Sequence, residues 1–193
     1  MSGFTRSKTE RIGVFPFFEL LKHEQVEADG RRGWDAYTFV LPDWVSVVAV
    51  TADGDFVLVR QYRAGIDSAS LEAPGGLIDP GEQPAVAALR ELREETGYGG
   101  GTLISLGSTH PNPVLQNNRH HMFLLRDAER LGEPELDEGE HLEVVMADAL
   151  MLRDAIRDGT ISHALVLLTM HRAFDFLAGD PRFTVLRGVR GER

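Results

Sequence analysis

Apolar positions run through this chain mainly as short alternating or continuous stretches, the pattern of strands, and take helical spacing in only a few places. Two extended stretches, Phe15–Val26 and Trp34–Val40, flank the turn signal Asp29-Gly30 and predict an antiparallel ribbon near the N-terminus. Leu41-Pro42-Asp43 breaks the pattern. Trp44–Thr51 and Phe56–Gln61 then form an apolar pair around Asp53-Gly54, and Leu103–Leu106, His120–Leu125 and Leu142–Met146 are further strand candidates. Helices are expected over Ala147–Arg157 and over His163–Leu177, the latter capped by Ser162. Arg130–Glu140 is polar and acidic and reads as a mobile loop, and the tail from Arg187 reads as loosely ordered. Strands around a central helix make an α+β fold with a mixed sheet and an N-terminal antiparallel β-ribbon.

The central helix carries the densest chemistry. In GLIDPGEQPAVAALRELREETGY, from Gly76 to Tyr98, Pro84 suits a first helical turn and Gly97 a stop. Between them lie about three and a half turns. Glu91, Glu94 and Glu95 stand at i, i+3 and i+4, within roughly a third of the circumference. The apolar residues Ala85, Val86, Ala88, Leu89 and Leu92 lie largely on the other side, so the acids are expected to look outward. Three clustered carboxylates repel one another unless a divalent cation such as Mg²⁺, which takes oxygen ligands and binds phosphates, sits among them. A solvated acidic helix face is the alternative for an arbitrary run of this kind.

Gly76, Glu82, Arg90, Glu91, Leu92, Glu94, Glu95, Gly97 and Tyr98 match G-x5-E-x7-R-E-U-x-E-E-x-G-U at every spacing, U being a bulky apolar residue. The segment resembles the Nudix box, with Tyr98 a mild departure from the usual aliphatic residue. The resemblance implies an α/β/α sandwich over about Val45 to Leu177, divided here into a ribbon, 1–44, and a hydrolase domain, 45–193. It also implies hydrolysis of a nucleoside diphosphate linked to another moiety, with Mg²⁺ or Mn²⁺. On that resemblance Glu91 and Glu95 are direct metal ligands, Glu94 assists, the backbone carbonyl of Gly75 completes the set, and Arg90 orients the glutamates. Pro74-Gly75-Gly76 departs from the common P-A-G, which leaves a main-chain ligand unaffected.

Gln61-Tyr62-Arg63 and Leu71-Glu72-Ala73-Pro74-Gly75 further resemble the subgroup that cleaves ADP-ribose and nucleotide sugars. Arg63 is then expected to approach the diphosphate, as a planar charged fork suits phosphate oxygens, and Glu72 to meet substrate or an outer metal shell. Pro113 follows Gly97 at the subgroup's spacing, although PNPVLQNNRHH departs from its usual P-G-x-x-x-E. Gln116, Asn118 and Arg119, with Asn117, offer donors for hydroxyls and phosphates; a turn bonding its own backbone is the equal alternative. In related hydrolases a loop glutamate deprotonates the attacking water. Glu140 is the first choice for that base and Glu138 the second, with Gly139 between them allowing movement. Trp34, Tyr37 and Trp44 are candidates for stacking a nucleobase.

Composition narrows the function classes. Lys and Arg number 20 against 30 Asp and Glu, a formal net charge of -10, which argues against a general grip on nucleic-acid backbone. Cysteine is absent, so disulfides and thiolate zinc sites are excluded. No apolar run reaches membrane-spanning length, and a cytoplasmic enzyme is the plain expectation. Phe15-Pro16-Phe17-Phe18 is hard to bury on a lone ribbon, which points to a homodimer. Two other readings stay open: a module that senses a nucleotide sugar without cleaving it, and a hydrolase of dinucleoside polyphosphates or nucleoside triphosphates.

Overall fold

The computed structural model describes residues 3–136 and 139–190. The chain forms two compact units, one of residues 1–43 with 109–120 and one of residues 44–108 with 121–193.

The first unit is built on a three-stranded antiparallel sheet in the order β1 (Phe4–Val14), β2 (Glu19–Glu27), β3 (Arg32–Val40). The expected two-stranded ribbon therefore gains a third strand. FTRSKTERIGV is polar and almost wholly exposed, so no alternation betrays it; pairing with β2 makes it a strand. His23 is buried in this sheet between the hydroxyls of Thr9, at 2.9 Å, and Thr38, at 3.2 Å. Phe15 stacks on Phe18, which meets Phe39 edge-on.

The second unit is a seven-stranded mixed sheet with helices on both faces. Its path runs β10 (Leu142–Ala147), β5 (Phe56–Arg63), β4 (Trp44–Thr51), β9 (His120–Arg130), β7 (Tyr98–Gly99), with β6 (Ser68–Glu72) on β5 and β8 (Thr102–Thr109) on β9. Strict alternation along β4 explains the sandwich. Val45, Val47 and Ala49 join Ala87, Ala88 and Leu92 of helix α1 (Pro84–Thr96) in one core. Val48 and Val50 face the other, with Leu152 of α2 (Ala149–Arg157), Met170 and Phe174 of α3 (Ala164–Leu177), and Phe183. Each side chain moved across by a one-residue slip would change cores.

Several boundaries differ from expectation. Helix α2 begins at Ala149 because the Asp148 carboxylate accepts from the backbone N–H groups of Leu150 and Met151. Helix α3 is capped by His163, whose Nδ1 accepts from Leu165 N–H at 3.2 Å, and not by Ser162. Strand β9 runs on to Arg130, shortening the acidic loop, and the 3₁₀ backbone from Pro181 to Arg190, kinked at Phe183, takes in the first residues of the tail expected to be loose from Arg187.

Candidate active site

Helix α1 starts on Pro84 and ends where Gly97 takes a left-handed conformation, φ 74°, and donates its N–H to the Arg93 carbonyl at 2.8 Å. Both ends match expectation; the facing of the acids does not. Glu95 is only 5% exposed and Glu91 is half-buried, whereas Val86 and Leu89 are exposed. The buried stripe runs through Ala88, Leu92 and Glu95, so the acids form one border of the docking face and point at the turn before the helix.

That turn explains the two glycines. Gly75 donates its N–H to Glu95 Oε2 at 2.8 Å, and a Cβ there would come within 2.2 Å of the Val45 carbonyl oxygen. A Cβ on Gly76 would lie 2.6 Å from the carboxylate carbon and both oxygens of Glu91. Side chains are thus excluded at Gly75 by the backbone of β4 and at Gly76 by the Glu91 carboxylate. Arg90 ties the remaining acids together: Nε and Nη2 donate to Glu82, at 3.0 and 2.9 Å, and Nη1 donates to Glu91, at 2.9 Å, and Glu94, at 3.0 Å. Glu82 also accepts from Asp79 N–H.

The electrostatics follow. Burial pushes the Glu95 carboxyl up to about 8, with the neighbouring charges of Glu91 and Glu140 adding to the effect. Glu91 is raised as well, by burial first and then by Glu94 and Glu140, against the pull of Arg90. Glu140, exposed beside Gly139, whose φ of 90° lies in the region that favours glycine, is therefore close enough for its charge to act on both buried acids and on Arg63. Glu138 lies outside the described residues.

Arg63 and Glu72 form a forked pair across β5 and β6, Nε to Oε1 at 3.0 Å and Nη2 to Oε2 at 2.7 Å. The Arg63 charge also acts on Glu95. The structure thus gathers Arg63, Glu72, Gly75, Glu91, Glu94, Glu95 and Glu140 into one neighbourhood of the second unit.

Gln116, Asn118, Arg119 and Trp34 belong to the first unit. Asn118 is 2% exposed and donates to the Pro42 carbonyl at 2.9 Å. Asn117 Oδ1 accepts from Leu41 N–H, Arg119 N–H donates to Asp43, and Arg119 Nη1 lies 3.2 Å from His110 Nε2. Gln116 bridges to Phe39 through its backbone. These side chains and amides bond to Leu41, Pro42 and Asp43 of their own unit, distant in the chain, and not to the backbone of their own turn. Trp34 packs edge-on against Phe4 with centroids 4.5 Å apart. Sequence reasoning passed over His163, whose charge acts on Glu72; its only signal was its place before an apolar helical run.

The donor set fits a hard divalent cation: carboxylate and carbonyl oxygens, mutually repelling and largely shielded from water, beside a turn with no side chains of its own. Among the described residues no three acid or histidine side chains already converge as a coordination set, because Arg90 holds Glu91 and Glu94 and the Gly75 amide holds Glu95.

Comparison with known proteins agrees with this arrangement. The NUDIX domain profile matches residues 41–165. An ADP-ribose pyrophosphatase of Bacillus subtilis (strain 168) is 35% identical over 138 residues, 68% of this chain and 75% of its own length. The ADP compounds hydrolase NudE of Escherichia coli (strain K12) is 30% identical over 138 residues, 70% and 73% of the two chains. An ADP-sugar pyrophosphatase of Mus musculus is 38% identical over 131 residues, 63% and 57%. A crystal structure of an ADP compounds hydrolase superposes with TM-score 0.82 and 25% identity over 94% of this chain and 98% of that one. No helix among the described residues is long and apolar enough to cross a membrane. With a profile that spans more than half of its length and the box acids folded against a glycine turn, this chain belongs to the Nudix family of hydrolases.

Proposed function

We propose that this enzyme hydrolyses the diphosphate of an ADP-linked compound, ADP-ribose or an ADP-sugar, to AMP and a sugar phosphate. One observation carries the reading: Glu91 and Glu95 are held, shielded from water, against the Gly75-Gly76 turn, within reach of the charges of Glu140 and Arg63. The names of the three relatives supply the substrate class.

Mg²⁺ or Mn²⁺ held by Glu91, Glu95 and the Gly75 carbonyl, with Glu94 in support, would neutralise phosphate charge and lower the pKa of a bound water. The chain's own residues do the rest. Glu140 takes the proton of the attacking water, and the exposed edge of Arg63 offsets charge on the diphosphate. Water oxygen bonds to phosphorus, the bridging oxygen departs with the other phosphate, and the proton passes through Glu140 to solvent. Arg90 holds Glu82, Glu91 and Glu94 in place through its hydrogen bonds. The homodimer and the stacking role of Trp34 belong to the same proposal, supported by the exposed Phe15, Phe17 and Trp34.

The test is turnover of ADP-ribose, ADP-glucose, diadenosine polyphosphates and ATP with Mg²⁺ in ¹⁸O-labelled water, products separated by mass. AMP with a sugar phosphate is expected, and the labelled product reports which phosphorus is attacked. Tight binding of ADP-ribose without product over hours would replace the enzyme reading by a sensor, and preference for ATP or the dinucleotides would move the substrate class.

A further inference from the structure

We propose that Glu72 is a positioning residue and touches neither substrate nor metal: it grips one edge of Arg63 so that the opposite edge faces outward as a preformed fork for the diphosphate. The inference rests on the reading that Arg63 meets that diphosphate. Guanidinium carries five N–H donors in a fixed plane. Glu72 takes two, from Nε and Nη2. The three left, on Nη1 and Nη2, have no partner among the described residues and include the parallel pair that matches two phosphate oxygens.

Burial assigns the roles. The Glu72 side chain is 4% exposed and that of Arg63 42%. Each Glu72 oxygen accepts from Arg63 inside the β5–β6 hairpin, where Glu72 stands opposite Val59 and Arg63 opposite Ser68, so the carboxylate turns inward and the guanidinium straddles the surface. Burial alone would raise the Glu72 carboxyl; the Arg63 bonds and charge outweigh it and hold it below the ordinary range. A buried anion that accepts twice from Arg63 and also from the Ser70 side chain has little left for a ligand, and the neutral pair adds nothing to the repulsion among Glu91, Glu95 and Glu140. An arginine already oriented loses less freedom on meeting phosphate than a free one.

The experiment is a double-mutant cycle with ADP-ribose and Mg²⁺ over wild type, E72Q, R63A and R63A/E72Q. E72Q sets an amide N–H against a guanidinium N–H, frees the fork, and is expected to raise KM about tenfold with kcat within about threefold. In the R63A background E72Q is expected to cost nothing further, and the Mg²⁺ concentration for half-maximal rate is expected to be the same in all four proteins. Additive losses, or a higher Mg²⁺ requirement in E72Q, would show Glu72 meeting the ligand or the ion itself and overturn the proposal. A wild-type KM in R63A strikes instead at the reading of Arg63, and the two failures are told apart by the variant that shows them. Should E72Q not fold, E72D keeps the charge while shortening the arm and is expected to raise KM by a smaller factor; calorimetric binding of α,β-methylene ADP-ribose gives the same comparison without turnover, and unchanged affinity in E72D and E72Q would overturn the proposal.

Discussion

Glu95 shows what a single side chain can report. Its carboxyl is raised from an ordinary 4.5 to about 8 in the folded chain. A folded pKa above the unfolded one means that the neutral form is favoured by folding, so the stabilisation is fully present below pH 4.5 and is lost as pH rises through about 8. In EDTA, the melting temperature of the wild type is expected to fall across that window, and that of E95Q to fall less, a difference on the order of 5 °C at pH 8. With saturating Mg²⁺ the wild type is expected to recover and E95Q not to. E95Q is also expected to lose turnover by a factor of at least about 100 while remaining folded; retained Mg²⁺-dependent activity would take the helix out of the mechanism. E140Q is expected to lower kcat by about 10²- to 10⁴-fold with KM little changed, and wild-type kcat in that variant would assign the base elsewhere.

At the scale of elements, the turn before α1 and the helix itself act as one part. Adding a methyl group at its two glycines separates structure from chemistry. In G75A the new Cβ meets backbone, the Val45 carbonyl, which cannot withdraw; a loss of about 2 kcal/mol or more is expected by denaturant titration. In G76A it meets only the end of the Glu91 side chain, which can swing aside. Stability there is expected to change by less than about 1 kcal/mol, while turnover falls at least tenfold. Elements with strong apolar patterns, β4, β5, β10 and α3, were legible from the sequence, as were both ends of α1 through Pro84 and Gly97. Strand β1 was not, because its residues face water on both sides, and β6 was not, because SASLE is short and holds no β-branched or aromatic residue. Within the site the acids were legible by spacing alone. That Glu95 is buried was not, since the bond that offsets part of the cost of burying it comes from a Gly75 amide twenty positions away in the chain. The pairing of Arg63 with Glu72 is likewise a product of the β5–β6 register and leaves no mark in local pattern.

For the whole molecule, light scattering is expected to give the mass of two chains. F17D is expected to yield one chain, because Phe17, 72% exposed, and Val14, 65% exposed, lie beside the Phe15–Phe18 stack with no cover in a single copy. An unchanged mass in F17D would remove that surface from the assembly. The acidic loop carries a different, mechanical consequence. Its start is stitched to the end of α1: Leu131 N–H and Gly132 N–H donate to the Gly97 carbonyl and Glu135 N–H to the Glu94 carbonyl. Its finish is locked into the sheet where Leu142 pairs with Gln61. Glu140 stands two positions before that lock, so its Cα cannot stray more than about 7 Å from the strand whatever the span ahead of it does. The proposed proton acceptor rides on a short leash, not on a swinging arm, and glycines inserted just after Leu136 should lengthen the loop while leaving the rate of the chemical step nearly as it was.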